Sequence, residues 1–208
     1  MSLRWVEFAQ FDNSVPILWL RRFGRGTKLR GMKYRQIDRI TELTPGQRLV
    51  GERTLAANEE YLADHFPRFP VMPGVMMLEA LHQAAVWLIR MSPDFDSALV
   101  LLREAKSVKF GDFLSPGETL TVEAEIFKRD GALTIVKAKA RKGDRTTVSA
   151  RLVLESCSSG DPEHLGTDAD VQRLSREQFF SLFSDSPAAM ALRRPGENIS
   201  PTMTPHSV

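Results

Sequence analysis

Apolar and polar residues alternate strictly in three runs in the second half of the chain. The apolar positions are Leu120, Val122, Ala124 and Ile126 in the first run, Val136, Ala138 and Ala140 in the second, and Val148, Ala150, Leu152 and Leu154 in the third. Charged and polar residues occupy most positions between them, which is typical of an antiparallel sheet with one buried face and one wet face. The Asp130-Gly131 and Gly143-Asp144 pairs between the runs predict hairpin turns.

Weaker strand signals lie on both sides of the most apolar window. Ile37 to Leu43 and Gln47 to Leu55, joined by a Pro45-Gly46 turn, predict two strands, and Leu99 to Leu102 and Ser107 to Phe110 are two further extended segments. Asn58 is a suitable N-cap for a brief helical turn that runs through Tyr61 and Leu62.

The apolar window itself predicts one long helix. It should begin at Gly74 or Val75, after a loop stiffened by three prolines, and end near Arg90. Between Val75 and Ile89 only Glu79, His82 and Gln83 are polar, and at 100° per residue these three share one narrow stripe. The rest of the helix must be buried, so we expect an α+β domain in which an antiparallel sheet wraps a central helix.

His65 and Glu79 are the candidate catalytic pair. A carboxylate on an almost wholly apolar helix is costly unless it is paired or used, and histidine titrates near neutral pH, so the two suit general acid and base roles. Pro73 has no N–H group, so the first free donors at the positive end of the helix belong to Gly74 and Val75, where a carbonyl oxygen could gain charge. Taken singly, His65 is equally consistent with a hydrogen-bonded loop residue, and Glu79 with a solvated one.

His82 introduces a second possibility, because Glu79-x-x-His82 has the spacing of a di-iron ligand pair. Such a centre needs a second copy of the pair and further carboxylates on facing helices, and the sequence has none. His82 is therefore interpreted as a residue of the polar stripe or of a pocket.

Length and composition limit the class of protein. The chain has 208 residues, of which 42% are hydrophobic and 26% charged, and this fits one domain with extensions. A single cysteine, Cys157, excludes an internal disulfide, and the N-terminus lacks a signal-peptide pattern, so we expect a cytoplasmic protein.

Two extensions flank the predicted domain of residues 32–155. Residues 1–31 carry most of a basic block without acidic residues, from Arg21 to Arg35, which could attract an acidic partner or a membrane surface but fits a solvated arm equally well. In residues 156–208, Ser175 with Gln178 could cap a short helix through Phe183, and the proline-containing last twenty or so residues look disordered.

One segment identifies a family. HFPRFPVMPGVMMLEALHQ, from His65 to Gln83, resembles the central motif of the 3-hydroxyacyl-acyl-carrier-protein dehydratases of type II fatty-acid synthesis, which have the hot-dog fold. A second block, Lys109-Phe110 with Pro116-Gly117-Glu118-x-Leu120, is also similar to the family. The sequence departs from it at Arg68, where the family usually has glycine, and at His82, where it usually has a small residue.

The resemblance implies an enzyme, a lyase that removes water from 3-hydroxyacyl thioesters. His65 and Glu79 correspond to the catalytic residues, and Gly74 to the residue whose amide polarises the thioester carbonyl. Expected substrate-binding residues are Phe66, Val75, Met76, Met77, His82 and Gln83, along a tunnel for the acyl chain. The resemblance implies no metal or organic cofactor, an acyl carrier protein as partner, and a homodimer, or an oligomer of dimers, with sites shared between chains.

Two other functions stay open at this point. In a hot-dog thioesterase, Glu79 would be the nucleophile or the base for water. A non-catalytic regulator that binds acyl thioesters is the other alternative, although no helix-turn-helix pattern precedes Met32 and nucleic-acid binding is not expected.

Overall fold

The computed structural model describes residues 35–93, 96–158, 167–183 and 185–192, and its centre is one sheet of six strands. The strands are β1 (Arg39–Thr44), β2 (Arg48–Thr54), β3 (Leu99–Phe110), β4 (Thr119–Asp130), β5 (Leu133–Lys142) and β6 (Arg145–Cys157). Their order is β1-β2-β4-β5-β6-β3, and every neighbouring pair is antiparallel.

The alternation along β4, β5 and β6 sets which face of the sheet is buried. Every apolar position predicted to face the core is buried except Ile126, which is half-buried. Gly131–Ala132 and Gly143–Asp144 form two-residue loops between paired strand ends, and both glycines have positive φ, 57° and 55°. The predicted hairpins are therefore confirmed, because positive φ in so short a loop is accessible to glycine at little steric cost.

β3 joins two segments that the sequence predicted separately. Its pairing with β6 shifts register between Leu102 and Glu104, and again between Lys106 and Lys109. Within the second irregularity Ser107 adopts a positive φ of 52°, which is uncommon for a residue with a side chain. Polar residues at this bulge interrupted the sequence pattern while the strand continued through it.

Helix α1 (Gly74–Arg90) lies on the buried face of the sheet and contacts five of the six strands. Its sheet-facing positions recur every three or four residues, and small side chains at Ala80, Ala84 and Ala85 allow close approach to the strands. The polar stripe lies on the opposite side, where Glu79, His82 and Gln83 are half-buried. The predicted α+β hot-dog arrangement is confirmed.

The C-terminal part of the chain contributes two helices, α2 (Asp168–Phe183) and α3 (Pro187–Leu192). Phe179 and Phe183 pack edge-on against Trp87 of α1, with ring centroids 5.6 and 5.8 Å away. The cap predicted at Ser175 is wrong, because Ser175 is buried in the middle of α2.

Thr167 is the residue that caps α2. Its hydroxyl donates to the Asp170 carboxylate at 2.8 Å and accepts the Asp170 N–H at 3.3 Å. The predicted terminal disorder is also wrong for residues 187–192, which form α3. Residues 193–208 and the arm of residues 1–31 lie outside the described residues, so the predictions for them stay predictions.

Phe179 allows a direct test of this packing, because its side chain is fully buried against α1. Phe179→Ala should lower the free energy of unfolding by about 3 to 5 kcal/mol, the usual cost of truncating a buried phenylalanine. Chemical denaturation followed by circular dichroism measures this loss. Met190→Ala is the matched control, because Met190 is exposed and should change stability by about 0.5 kcal/mol or less. Equal stabilities for the two variants would contradict the packing.

Candidate active site

His65 lies in a short loop between a 3-10 turn at Glu60–Leu62 and helix α1. The turn was predicted, but its N-cap is Glu59 and not Asn58, and no side chain caps it. The His65 N–H donates to the Tyr61 carbonyl at 3.1 Å, which ties the loop back to the turn.

The segment after His65 is a tight turn with an unusual backbone. Phe66 has a positive φ of 51°, and its carbonyl accepts the Phe69 N–H at 2.8 Å across Pro67 and Arg68. A bulky residue in the left-handed region costs about 1 to 3 kcal/mol and persists where its surroundings enforce it. The strained turn restricts the backbone conformation directly after His65.

The His65 imidazole is half-buried and rests edge-on against the Phe66 ring, with centroids 4.6 Å apart. Within the described part of the chain, neither ring nitrogen has a hydrogen-bond partner. Both His65 nitrogens thus remain available for proton transfer.

The start of α1 lies directly after this loop. Pro73 is the N-cap, and its carbonyl accepts the N–H groups of Met76 and Met77 at 2.9 and 3.3 Å. The N–H groups of Gly74 and Val75 precede these first helical bonds, as the sequence predicted. A methyl group on Gly74 would come within 3.0 Å of the Phe110 ring, so the glycine also permits close contact with the end of β3.

Glu79 is held at both carboxylate oxygens by side chains of its own helix. His82 Nδ1 lies 3.1 Å from Oε2, and Gln83 Nε2 donates to Oε1 at 2.8 Å. Gln83 is itself fixed, because its Oε1 accepts the backbone N–H of Gln36 at 2.8 Å. The polar stripe predicted from the sequence is therefore a connected hydrogen-bond network.

This network determines the charge state of Glu79. Burial by itself would raise the pKa of the carboxyl group, but the hydrogen bond and charge of His82, together with the hydrogen bond from Gln83, outweigh it and lower the pKa below its ordinary value. Glu79 is consequently ionised at neutral pH in the single chain.

The other predicted site residues fall into two groups. Phe66 and Val75 are exposed near the helix start, and Met76 is half-buried beside them. Met77 is 2% exposed and faces the core, so its side chain lies on the sheet-facing side of α1 and not on the side that carries Glu79. No hydrogen bond or ion pair links His65 to Glu79 within one chain among the described residues.

Two residues of the site were missed by sequence reasoning. Gln36 is 1% exposed and anchors Gln83 across 47 positions, and no local pattern marks such a contact. Phe110 belongs to the second family-like block, but its contact with Gly74 follows only from the fold.

The described residues contain no group of three or more His, Cys, Asp or Glu side chains placed to hold a metal ion. No helix in the same part of the chain combines the length and apolar character needed to cross a membrane.

Comparison with known proteins identifies the family to which this arrangement belongs. The sequence profile of the FabA-like domain matches residues 29–151, which is more than half of the chain. The chain belongs to the FabA-like family. The match covers all of α1 and β1 to β5 and the first half of β6, and the two C-terminal helices lie outside the matched range.

Two curated relatives bear the name of a dehydratase. The chain is 35% identical over 125 residues to the 3-hydroxyacyl-acyl-carrier-protein dehydratase FabZ of Levilactobacillus brevis, covering 60% of this chain and 84% of the relative. It is 38% identical over 104 residues to the enzyme of the same name from Ruminiclostridium cellulolyticum, covering 50% and 73%. Among solved structures, the dehydratase heterocomplex ApeI:P from Xenorhabdus doucetiae matches with a TM-score of 0.52 and 15% identity. The match covers 62% of this chain and 86% of that chain, and it supports the fold alone.

Proposed function

We propose that the protein dehydrates 3-hydroxyacyl thioesters carried on acyl carrier protein, giving trans-2-enoyl thioesters for fatty-acid or related lipid synthesis. The observation that carries this proposal is the Glu79 carboxylate, held by two hydrogen bonds on the open side of α1 in a FabA-like chain. The similarity to FabZ dehydratases supports the same chemistry.

The proposed reaction uses three groups. His65 removes the proton from the carbon next to the thioester carbonyl, and the Gly74 N–H stabilises the charge that develops on the carbonyl oxygen. The bond between the β carbon and its hydroxyl then breaks, and Glu79 in its protonated form supplies the proton that leaves with the hydroxyl as water. Before the next turnover the carboxylate takes up a proton from solvent and His65 returns its proton to solvent. In the reverse direction the ionised Glu79 accepts a proton from water, so its lowered pKa favours an assay of hydration.

We further infer that each site is shared between two copies of the chain. No hydrogen bond or ion pair joins the His65 and Glu79 side chains within one copy among the described residues, although both belong to the proposed reaction. Exposed apolar residues surround the start of α1: Phe66, Phe69, Val75, Phe110 and Phe113. A patch of this kind suits contact with a second copy, and the free edge of β3 in the described sheet could pair in the same contact.

Acyl carrier protein is the proposed donor of the substrate. An exposed loop and helix start would receive the thioester, while the apolar side chains of Phe66, Val75 and Met76 would contact the acyl chain. The cytoplasmic location stays a prediction of the sequence.

Hydration of crotonyl and decenoyl thioesters tests the function. The loss of enoyl absorbance measures hydration, and a thiol reagent in a parallel sample measures hydrolysis. We expect the enoyl signal to fall without release of thiol, and faster turnover on carrier protein than on coenzyme A. Glu79→Gln should remove the signal, because glutamine keeps the shape but cannot transfer the proton.

The two alternatives give different results in the same assay. Thiol release that matches the loss of substrate would indicate a thioesterase. Binding of the thioester without either signal would indicate a non-catalytic acyl-thioester protein, and both results would overturn the dehydratase proposal.

A further inference from the structure

We propose that His82 is a positioning residue of this site, which donates from Nδ1 to Oε2 of Glu79 and, with Gln83, fixes the carboxylate toward the substrate. This inference rests on the proposed function, in which Glu79 transfers the proton. Its basis is the geometry of the stripe, where Nδ1 lies 3.1 Å from Oε2 and Gln83 Nε2 lies 2.8 Å from Oε1.

The chemistry of the contact fixes where the imidazole carries its proton. An ionised carboxylate only accepts hydrogen bonds, so the ring nitrogen that faces Glu79 must be Nδ1–H. The other nitrogen, Nε2, is buried and has no hydrogen-bond partner among the described residues. In this tautomer the buried Nε2 presents a lone pair and not an N–H group.

Protonation of Glu79 would disturb this arrangement. Either the contact with Nδ1 is lost, or Glu79 donates to Nδ1 and the ring proton moves to Nε2, where it would be a buried donor without a partner. Both outcomes cost free energy, so the contact favours the ionised carboxylate. The lowered pKa of Glu79 has the same direction: burial would raise it, and the hydrogen bonds from His82 and Gln83, together with the positive charge of His82 when its ring is protonated, prevail.

Exposure separates the roles of the two side chains. Glu79 keeps 39% of its side-chain exposure and can reach a substrate, whereas His82 keeps 24% and has its Nε2 fully covered. His82 therefore acts through Glu79 and not on the substrate directly.

Other charged groups contribute little to this contact. Among the described residues, His82 is the only one whose charge, present when its ring is protonated, shifts the Glu79 pKa. Arg53, in β2, is the one charged side chain that is buried among the described residues. It forms ion pairs with Asp38 and Glu59 and not with Glu79. Arg35, next to Gln36, lies 4.0 Å from Asp38.

Two further ionisable groups are Arg90 of α1 and His65 of a second copy. Arg90, on the same helix, lies over Trp87 in the last turn, far from Glu79. In the proposed shared site, His65 of a second copy also faces Glu79, so its influence must be removed in the test.

Three variants at position 82 test the proposal. His82→Asn places an amide donor where Nδ1 lies, His82→Gln places its amide near the position of Nε2, and His82→Ala removes both. We expect His82→Ala to lower kcat for enoyl hydration by about ten-fold, the effect of losing one hydrogen bond to a charged group, with little change in KM. The acidic limb of the pH profile of kcat/KM should move to higher pH, and His82→Asn should restore both properties better than His82→Gln.

A readout without activity separates this proposal from the proposed function. In the His65→Ala background, the 13C signal of the Glu79 carboxyl, assigned by its loss in Glu79→Gln, should titrate at higher pH after His82→Ala and return with His82→Asn. An unmoved titration and an unmoved acidic limb would overturn the role of His82 even if the enzyme is active. A shifted titration, if the protein with His65 intact shows no hydratase activity, would instead overturn the proposed function and support the positioning role.

Discussion

Replacing His65 with alanine is expected to lower kcat/KM for hydration of an enoyl thioester by about 100- to 10,000-fold, the usual contribution of a general acid or base. The effect should be confined to chemistry, because the ring is half-buried and its nitrogens bond to no group in the described part of the chain. The loss of enoyl absorbance measures the rate of hydration, and thermal unfolding shows whether the variant is still folded.

Arg68→Ala is the matched control for this variant. Arg68 belongs to the same turn, is exposed and forms no ion pair within the described residues, so the variant should keep activity on a small pantetheine thioester. A His65→Ala protein that hydrates the thioester at the rate of the unmodified protein would exclude His65 as the proton carrier. A loss of cooperative unfolding in His65→Ala alone would show that the ring supports the loop.

The sheet could be predicted from the sequence because burial acts directly on each residue of a strand. In β4, β5 and β6 one face must be apolar, so the period of two reveals both the strands and their orientation. The same rule failed in β3, where a bulge at Ser107 breaks the alternation although the pairing continues. A local irregularity is compensated there by the neighbouring strand, and no single-strand pattern contains that information.

The C-terminal helix was misjudged for a related reason. Thr167-x-x-Asp170 and Ser175-x-x-Gln178 are both plausible capping patterns, and only the tertiary structure decides between them. Val171, Ser175, Phe179 and Phe183 recur every four residues and form one buried stripe. Phe179 and Phe183 of this stripe pack against Trp87 of α1. This contact favours the longer helix that presents the whole stripe over a short helix that begins at Ser175.

In the candidate site, too, local patterns could be predicted from the sequence but contacts between distant segments could not. The stripe of Glu79, His82 and Gln83 follows from helical periodicity, and the structure confirms that the three are in contact. The anchoring of Gln83 by Gln36 could not be predicted, because it joins segments 47 positions apart through a backbone N–H. The shared site proposed for His65 and Glu79 involves a second copy of the chain, so the relation of these two residues stays a proposal.

Mixing two inactive proteins should restore activity if the site is shared between copies. His65→Ala and Glu79→Gln are unfolded together and refolded as an equal mixture, with different tags to count mixed dimers. In a mixed dimer, one site receives both substitutions and the other receives neither. Random pairing makes about half of the dimers mixed, so roughly one quarter of the activity of the unmodified protein should return.

The result discriminates because the alternative predicts no recovery at all. If His65 and Glu79 of the same chain form each site, every site in every dimer keeps one substitution, whatever the pairing. His65→Ala refolded with itself, and Glu79→Gln refolded with itself, are the controls and should both stay inactive. Mixed dimers that are demonstrated by their tags yet remain inactive would refute the shared site, while the FabA-like fold and the dehydration chemistry would be unaffected. Recovery of about one quarter would instead place the His65 loop of one copy at the α1 carboxylate of the other, which explains why a single chain leaves both His65 nitrogens without partners.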